Sequence, residues 1–184
     1  AAVFQQLQVK DASCTIFSAT GTGTYDIDLS VSELTELQVG SYVLMDAEYM
    51  AIESAEHTGL ADYFRPALTL LTTVVSASHD THVTVDAGLK SLYRDGALPI
   101  VATAEHAALR YDWFGDEYGR LSTKEKAVNL PQLGTVLELV VSHCDPTVNQ
   151  FESYHIVRNG NVVDVWPIDL RGKANEADSG MIIR

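Results

Sequence analysis

Positive charge is scarce in this sequence. Its 184 residues hold 12 lysines and arginines against 25 aspartates and glutamates, a formal net charge of −13. Phosphate neutralisation needs clustered Lys and Arg, so this balance argues against a nucleic-acid partner and against docking on an anionic membrane. Long hydrophobic runs are missing as well. No apolar stretch reaches the ~18 residues that a membrane-spanning helix requires. Cysteine is limited to Cys14 and Cys144, which rules out a disulfide framework and fits a reducing cytoplasm. The N-terminus lacks the succession of basic, apolar and small residues that marks a signal peptide. It begins with Ala1 rather than Met, as a processed chain or one cut from something longer would. Hydrophobic residues are present in ordinary amount, 46%. That is enough to bury a core in one domain, or one and a half.

Periodicity outlines two parts. Val3, Phe4 and Leu7 recur at helical spacing and predict a helix over residues 1–10. The short runs Cys14–Phe17 and Ser41–Asp46 predict two strands. Between them lie a turn-rich stretch, Ser18 to Thr24, and a crossover-length segment with a Ser-x-x-Glu helix start near Ser30. From about residue 65, short β-branched runs follow at 69–76, 82–88, 98–104, 109–114, 135–145, 153–158 and 161–168. Their even spacing predicts an antiparallel sheet or a small barrel. Asn159-Gly160 supplies the two positive φ values of a type I′ hairpin turn. Residues 1–55 thus read as the last strands of an α/β unit and 56–173 as an all-β domain. Residues 174–184 read as a polar, mobile tail. Two parallel strands cannot stand alone, because their faces and edges need neighbours. The first part must lean on another copy or on more of an α/β domain.

Ser142-His143-Cys144-Asp145-Pro146 is the strongest local signal for chemistry. If the strand over 136–141 continues, His143 and Asp145 share one face and Cys144 points away. Pro146 favours an extended Asp145. Imidazole plus hard oxygen suits zinc, manganese or magnesium; the alternative is a polar strand end in water. Thr20-Gly21-Thr22-Gly23-Thr24 is a second signal. Its glycines let backbone N–H groups approach an anion and its hydroxyls add donors, although an ordinary glycine-rich turn has the same composition. Lys90 could serve as an amine nucleophile, or simply pair with a neighbour such as Asp86. Gly115–Gly119 reads as a solvated acidic loop. His79 and His82 flank a loop and read as exposed or structural.

In their order along the chain, TGTGTYDID (20–28), TELQVGSYVLMDAEY (35–49), VDAGLKSL (85–92), GDEYG (115–119), SHCDPTVN (142–149) and VVDVWPIDLRG (162–172) resemble one known family. It is the D-threonine aldolase and D-serine dehydratase family of fold-type III pyridoxal-phosphate enzymes, and the resemblance is to its C-terminal half. The wording of 142–149 looks most like 3-hydroxyaspartate aldolases. The resemblance implies the last strands of an alanine-racemase-type (β/α)₈ barrel, followed by a mainly antiparallel C-terminal β domain. It implies that Gly21, Thr22, Gly23 and Thr24 hold the phosphate of pyridoxal 5′-phosphate. It places the divalent metal (Mn, Mg or Zn) on His143 and Asp145. Aldolase members carry Asp at the second ligand position where dehydratases carry Cys, so Asp145 favours an aldolase. Where relatives often read Glu-His-Gly, this chain has Glu117-Tyr118-Gly119.

The implied reaction is retro-aldol cleavage of a D-β-hydroxy amino acid, of 3-hydroxyaspartate or D-threonine type, to glycine and an aldehyde. A complete barrel takes ~250 residues, more than this chain has. The Schiff-base lysine and the base are expected outside it, since none of Lys10, Lys90, Lys124, Lys126 or Lys173 sits in the family's lysine motif. A homodimer, or pairing with the N-terminal barrel portion, is expected. The alternatives are a dehydratase of the same family and a non-catalytic β module that pairs with a separate barrel chain.

Overall fold

A computed structural model describes residues 1–11, 13–53, 59–123, 129–169 and 171. Helix α1 (Ala2–Lys10) forms where periodicity predicts it. Of its residues only Phe4 is buried, with its ring stacked on Phe17 at 5.0 Å. Val3, Leu7 and Val9 stay exposed. Strands β1 (Ser18–Ala19) and β2 (Glu36–Leu37) pair in parallel, Ser18 opposite Glu36. Helix α2 (Tyr25–Asp28) lies between them.

Three sequence expectations are corrected in this part. The first strand begins at Ser18 rather than Cys14, because the Thr35 side chain takes the preceding ladder position. Its Oγ1 accepts the Phe17 N–H at 2.8 Å. The second predicted strand, Ser41–Asp46, is a 3₁₀ turn over Ser41–Val43 leading into helix α3 (Ala47–Met50). The Ser41 carbonyl draws the N–H groups of Leu44 and Met45 inward, and Met45 takes φ 54°. The apolar run there reflects burial of Met45 rather than strand pairing. Ser30 does not start a helix. Its Oγ donates to the Ile27 carbonyl at 2.6 Å, at the C-terminal end of α2.

The expected antiparallel β structure is present, and of a sheet or a small barrel it is a closed barrel. Strands β3 (Thr69–Ser76), β4 (His82–Val85), β5 (Ile100–Val101), β6 (Arg110–Trp113), β7 (Gly119–Ser122) and β8 (Val136–Val140) close in the order β3-β4-β7-β6-β5-β8. Every pairing is antiparallel, and β8 returns to β3 with Thr69 opposite Val140. Closure removes free edges. Alternate residues point inward, so Val74, Val83, Val85, Tyr111, Leu121, Leu137 and Leu139 form the core. The acidic loop read at 115–119 ends on the first residue of β7. Gly119 is there because a Cβ would stand 2.6 Å from the Ala87 carbonyl oxygen and overlap the Tyr111 ring. That same carbonyl accepts the Tyr111 hydroxyl at 2.7 Å.

Beyond β8 come helix α4 (Cys144–Val148) and the hairpin of β9 (Ser153–Arg158) and β10 (Asn161–Pro167). The hairpin turns at Asn159 (φ 51°) and Gly160 (φ 77°), as predicted. It forms its own two-stranded sheet, with all of β10 exposed, including Val162, Val163, Val165 and Trp166. Among the described residues, no helix is long and apolar enough to cross a membrane. The predicted tail, 174–184, lies outside the described residues.

Leu139 is fully buried in the barrel, whereas Leu71 on the neighbouring strand is 64% exposed. Leu139→Ala is expected to cost about 2–5 kcal/mol in denaturant unfolding. Leu71→Ala should stay within about 0.5 kcal/mol of the unsubstituted chain.

Candidate functional site

Strand β8 ends at Val140, and the chain then passes through buried Val141 and Ser142 to His143. His143 is extended (φ −141°, ψ 125°) and caps α4, while Asp145 lies in the first helical turn. The expectation of two residues on one strand face is therefore corrected. The strand has already ended, and a strand-to-helix turn brings the side chains together instead. Pro146 does not hold Asp145 extended; it sits in the first turn, where a missing N–H costs nothing. His143 Nε2 stands 3.2 Å from Asp145 Oδ2. Cys144 turns away, as expected, into the barrel core.

The turn is braced from two sides. On one side, Thr147 Oγ1 donates to the His143 carbonyl at 2.7 Å and accepts the Tyr93 N–H at 3.2 Å. Buried Ser142 donates its hydroxyl to the Tyr93 carbonyl. On the other side, Asp46 is fully buried. Its Oδ2 accepts the Cys144 N–H at 2.8 Å and its Oδ1 accepts the Tyr49 N–H at 2.9 Å. The next two N–H groups, of Ala47 and Glu48, donate to the carbonyls of Val141 and Ser142 at 2.9 and 3.2 Å. Ser41 Oγ donates to Asp145 Oδ2 at 3.2 Å. Glu48 Oε2 lies 3.6 Å from His143 Nδ1, and the Tyr49 ring meets the imidazole edge-on at 6.3 Å.

Burial, then the charges of Asp145 and Asp46, push the Cys144 thiol up to about 12. Burial and the nearby Cys144 and Asp145 also raise Tyr154. Cys144 is thus a core side chain, unsuited to nucleophilic work. His143 and Asp145 offer one nitrogen and one hard oxygen to a cation. Among the described residues, no group of three or more His, Cys, Asp or Glu side chains could hold a metal ion.

The glycine-rich turn follows β1. Thr20 takes φ 85°, and its Oγ1 is buried without a hydrogen-bond partner. Gly21 faces open space where a Cβ would stand, whereas a Cβ on Gly23 would crowd Ile52 at 2.7 Å. Thr22 is buried, and its Oγ1 accepts the Tyr42 N–H at 3.1 Å, so this hydroxyl already has a structural partner. Thr24 donates its N–H to the Gly21 carbonyl and caps α2. Beside the turn is an apolar cleft of about 120 Å³ lined by Thr22, Tyr25, Leu37, Val39, Tyr42 and Phe64.

The remaining sequence candidates lie apart. Exposed Lys90 pairs with Glu117 rather than Asp86, which raises the lysine and lowers the carboxylate. Asp86 instead accepts from the Thr72 hydroxyl and the Thr73 N–H, each at 2.7 Å. His79 and His82 stack on each other at 4.3 Å. Lys124, Lys126 and Lys173 lie outside the described residues.

Residues 67–157 match the family model described as "Putative serine dehydratase domain". This segment contains both His143 and Asp145. The chain is 38% identical over 157 residues to the 3-hydroxy-D-aspartate aldolase of Paracoccus denitrificans, covering 85% of this chain and 39% of that protein. It is 37% identical over 168 residues to the D-threonine aldolase of an Arthrobacter species, covering 91% and 42%. The crystal structure of D-threonine aldolase from Filomicrobium marinum is similar at TM-score 0.82 and 31% identity, covering 95% of this chain and 47% of that one. The chain belongs to the D-threonine aldolase and D-serine dehydratase family. It spans about two fifths of the length of the curated family members it matches.

Sequence reasoning missed Asp46 and Glu48 as parts of this site. The signal was present: Asp followed by Ala-Glu is a helix start, with an N-cap and an acidic first turn. The hydrophobicity of Val43-Leu44-Met45 hid it. Asp46→Ala is expected to destabilise the fold by about 2–4 kcal/mol, through a lost cap and a stranded buried N–H. Denaturant titration measures this. Cys144 should resist iodoacetamide in the native chain up to pH 9, the ordinary thiol value, and label only on unfolding. Rapid native alkylation, located by peptide mapping, would contradict its burial.

Proposed function

We propose that the chain is the C-terminal portion of a metal-dependent pyridoxal-phosphate aldolase, a carbon–carbon lyase. The reaction is cleavage of a D-β-hydroxy amino acid, of 3-hydroxyaspartate or D-threonine type, to glycine and an aldehyde. The observation that carries this reading is the convergence of His143 Nε2 and Asp145 Oδ2 at 3.2 Å on a braced helix start, within the segment that matches the family. Residues 1–55 are proposed as the end of the cofactor-binding barrel, 56–173 as the β domain bearing the metal site, and 174–184 as a tail.

The residues present suit both groups. His143 and Asp145 would hold a divalent ion (Mn, Mg or Zn), a donor pair that such borderline and hard cations accept. Gly21, Thr22, Gly23 and Thr24 would hold the phosphate of pyridoxal 5′-phosphate. In support, Gly21 opens onto free space and the neighbouring Thr20 hydroxyl is buried with no partner. When bound, the cofactor supplies an electron sink for the pair left by Cα–Cβ cleavage, and the ion acidifies a hydroxyl. This chain's own part is to hold and orient. Ser41 donates to Asp145 and fixes its carboxylate, while the Thr147 hydroxyl grips the His143 carbonyl. The Schiff-base lysine and the base are assigned to the part of the enzyme's length that this chain does not span. Exposed apolar residues on α1 and β10 suit contact with that N-terminal barrel portion or with a second copy in a homodimer. A cytoplasmic location fits the reduced, unpaired Cys14 and Cys144.

The second reading is a dehydratase acting on D-serine or 3-hydroxyaspartate, favoured by the serine dehydratase description of the matched domain. Product analysis with the whole protein separates the two. An aldolase yields glycine and glyoxylate from 3-hydroxy-D-aspartate, whereas a dehydratase yields pyruvate from D-serine. Asp145→Ala is expected to abolish tight Mn²⁺ binding in equilibrium dialysis, and chelation should abolish turnover. Unchanged Mn²⁺ binding in that variant would remove the site assignment.

A further inference from the structure

An imidazole binds a cation through a nitrogen that carries no proton, so a ligand histidine works best when a partner claims the other nitrogen. Two carboxylates flank His143, one at each ring nitrogen. Asp145 Oδ2 is 3.2 Å from Nε2, and Glu48 Oε2 is 3.6 Å from Nδ1. Each stands at a different ring nitrogen, and among the described residues no group of three such side chains is placed to hold one ion. Glu48 is therefore not a third ligand. At 3.6 Å it lies just outside hydrogen-bond range, and a sub-ångström shift would make it a hydrogen bond.

The placement of Glu48 is specified by its surroundings. The N–H groups of Ala47 and Glu48 donate to the carbonyls of Val141 and Ser142. Those are the two residues immediately before His143, so the Glu48 backbone is held in register with the histidine. Asp46 caps the same turn and holds the Cys144 N–H as well. The Tyr49 ring meets the imidazole at 72° and limits its rotation. Gly96, at φ 81°, leaves the space that the carboxylate occupies, and a methyl group there would overlap Glu48. The same loop carries Tyr93, whose backbone is bonded to Ser142 and Thr147.

We propose that Glu48 is the positioning residue for His143, holding Nδ1–H so that the Nε2 lone pair faces Asp145 and the cation. This rests on the reading of His143 and Asp145 as metal ligands. A merely local role for Glu48, as an acidic residue in the first turn of α3, would stabilise the helix slightly and leave the metal untouched. The test uses the whole protein and Glu48→Gln, a variant of equal size at a side chain that is 45% exposed. Mn²⁺ affinity read by electron paramagnetic resonance should fall about 10–100-fold. In the Zn²⁺-loaded, ¹⁵N-histidine-labelled protein, the His143 Nδ1–H proton should move upfield as its carboxylate partner is lost. A wild-type Mn²⁺ affinity, or an unmoved Nδ1–H resonance, overturns the assignment of Glu48 while leaving the metal site standing. Failure of the unsubstituted protein to bind Mn²⁺ would instead overturn the metal site and this assignment together.

Discussion

The carboxylate of Asp46 is fully buried, and each of its oxygens is committed to a backbone N–H. A buried charge is tolerated only when hydrogen bonds replace its lost water, and here one donor lies 3 residues and the other 98 residues along the chain from Asp46. One is Tyr49 in α3, the other Cys144 at the start of α4. Asp46 thus staples the early part of the chain to the exit of the barrel. The neighbouring bonds from Ala47 and Glu48 to Val141 and Ser142 extend the staple into a short backbone ladder. The approach of Ser41 to Asp145 and of Glu48 to His143 follows from that register.

The barrel supplies the rigid side of the arrangement. Closed antiparallel strands with a packed interior deform little, so the end of β8 is a firm platform. The turn from β8 into α4 rotates successive side chains differently from a strand. Cys144 is driven into the core, while His143 and Asp145 stay at the surface on one side. A site built at the end of a rigid element and braced by a buried carboxylate is preorganised. Such preorganisation suits the cation site proposed for His143 and Asp145. By contrast, the hairpin β9–β10 leaves Val157, Val162, Val163, Val165 and Trp166 exposed among the described residues. That agrees with a chain matching less than half the length of its relatives.

Much of the fold was legible from local pattern. The strands at 69–76, 153–158 and 161–167 coincide with β-branched runs, because alternation and turn chemistry are local properties. The Asn159-Gly160 turn is the plainest case. Reading failed where tertiary packing outranked composition. Val43-Leu44-Met45 is as apolar as a strand, but Met45 takes positive φ and is buried beneath a helix start. Strand β7 was hidden because its Gly119 looks like a loop residue, whereas the glycine is needed for the close approach of Tyr111 and Ala87.

By itself, the sequence determined the antiparallel β character of the second part, the hairpin turn, the excess of acidic over basic residues, and the candidate pair His143 and Asp145. All of these follow from residue type and short spacing. Only the tertiary structure decided that the pair meets across a strand-to-helix turn rather than along a strand face. It alone brought Ser41, Asp46 and Glu48 to that pair, and it alone decided that Cys144 is core. The reason is physical. Spacing along a chain fixes which neighbours are near in sequence, but a buried carboxylate satisfied by donors from distant segments depends on how those segments pack.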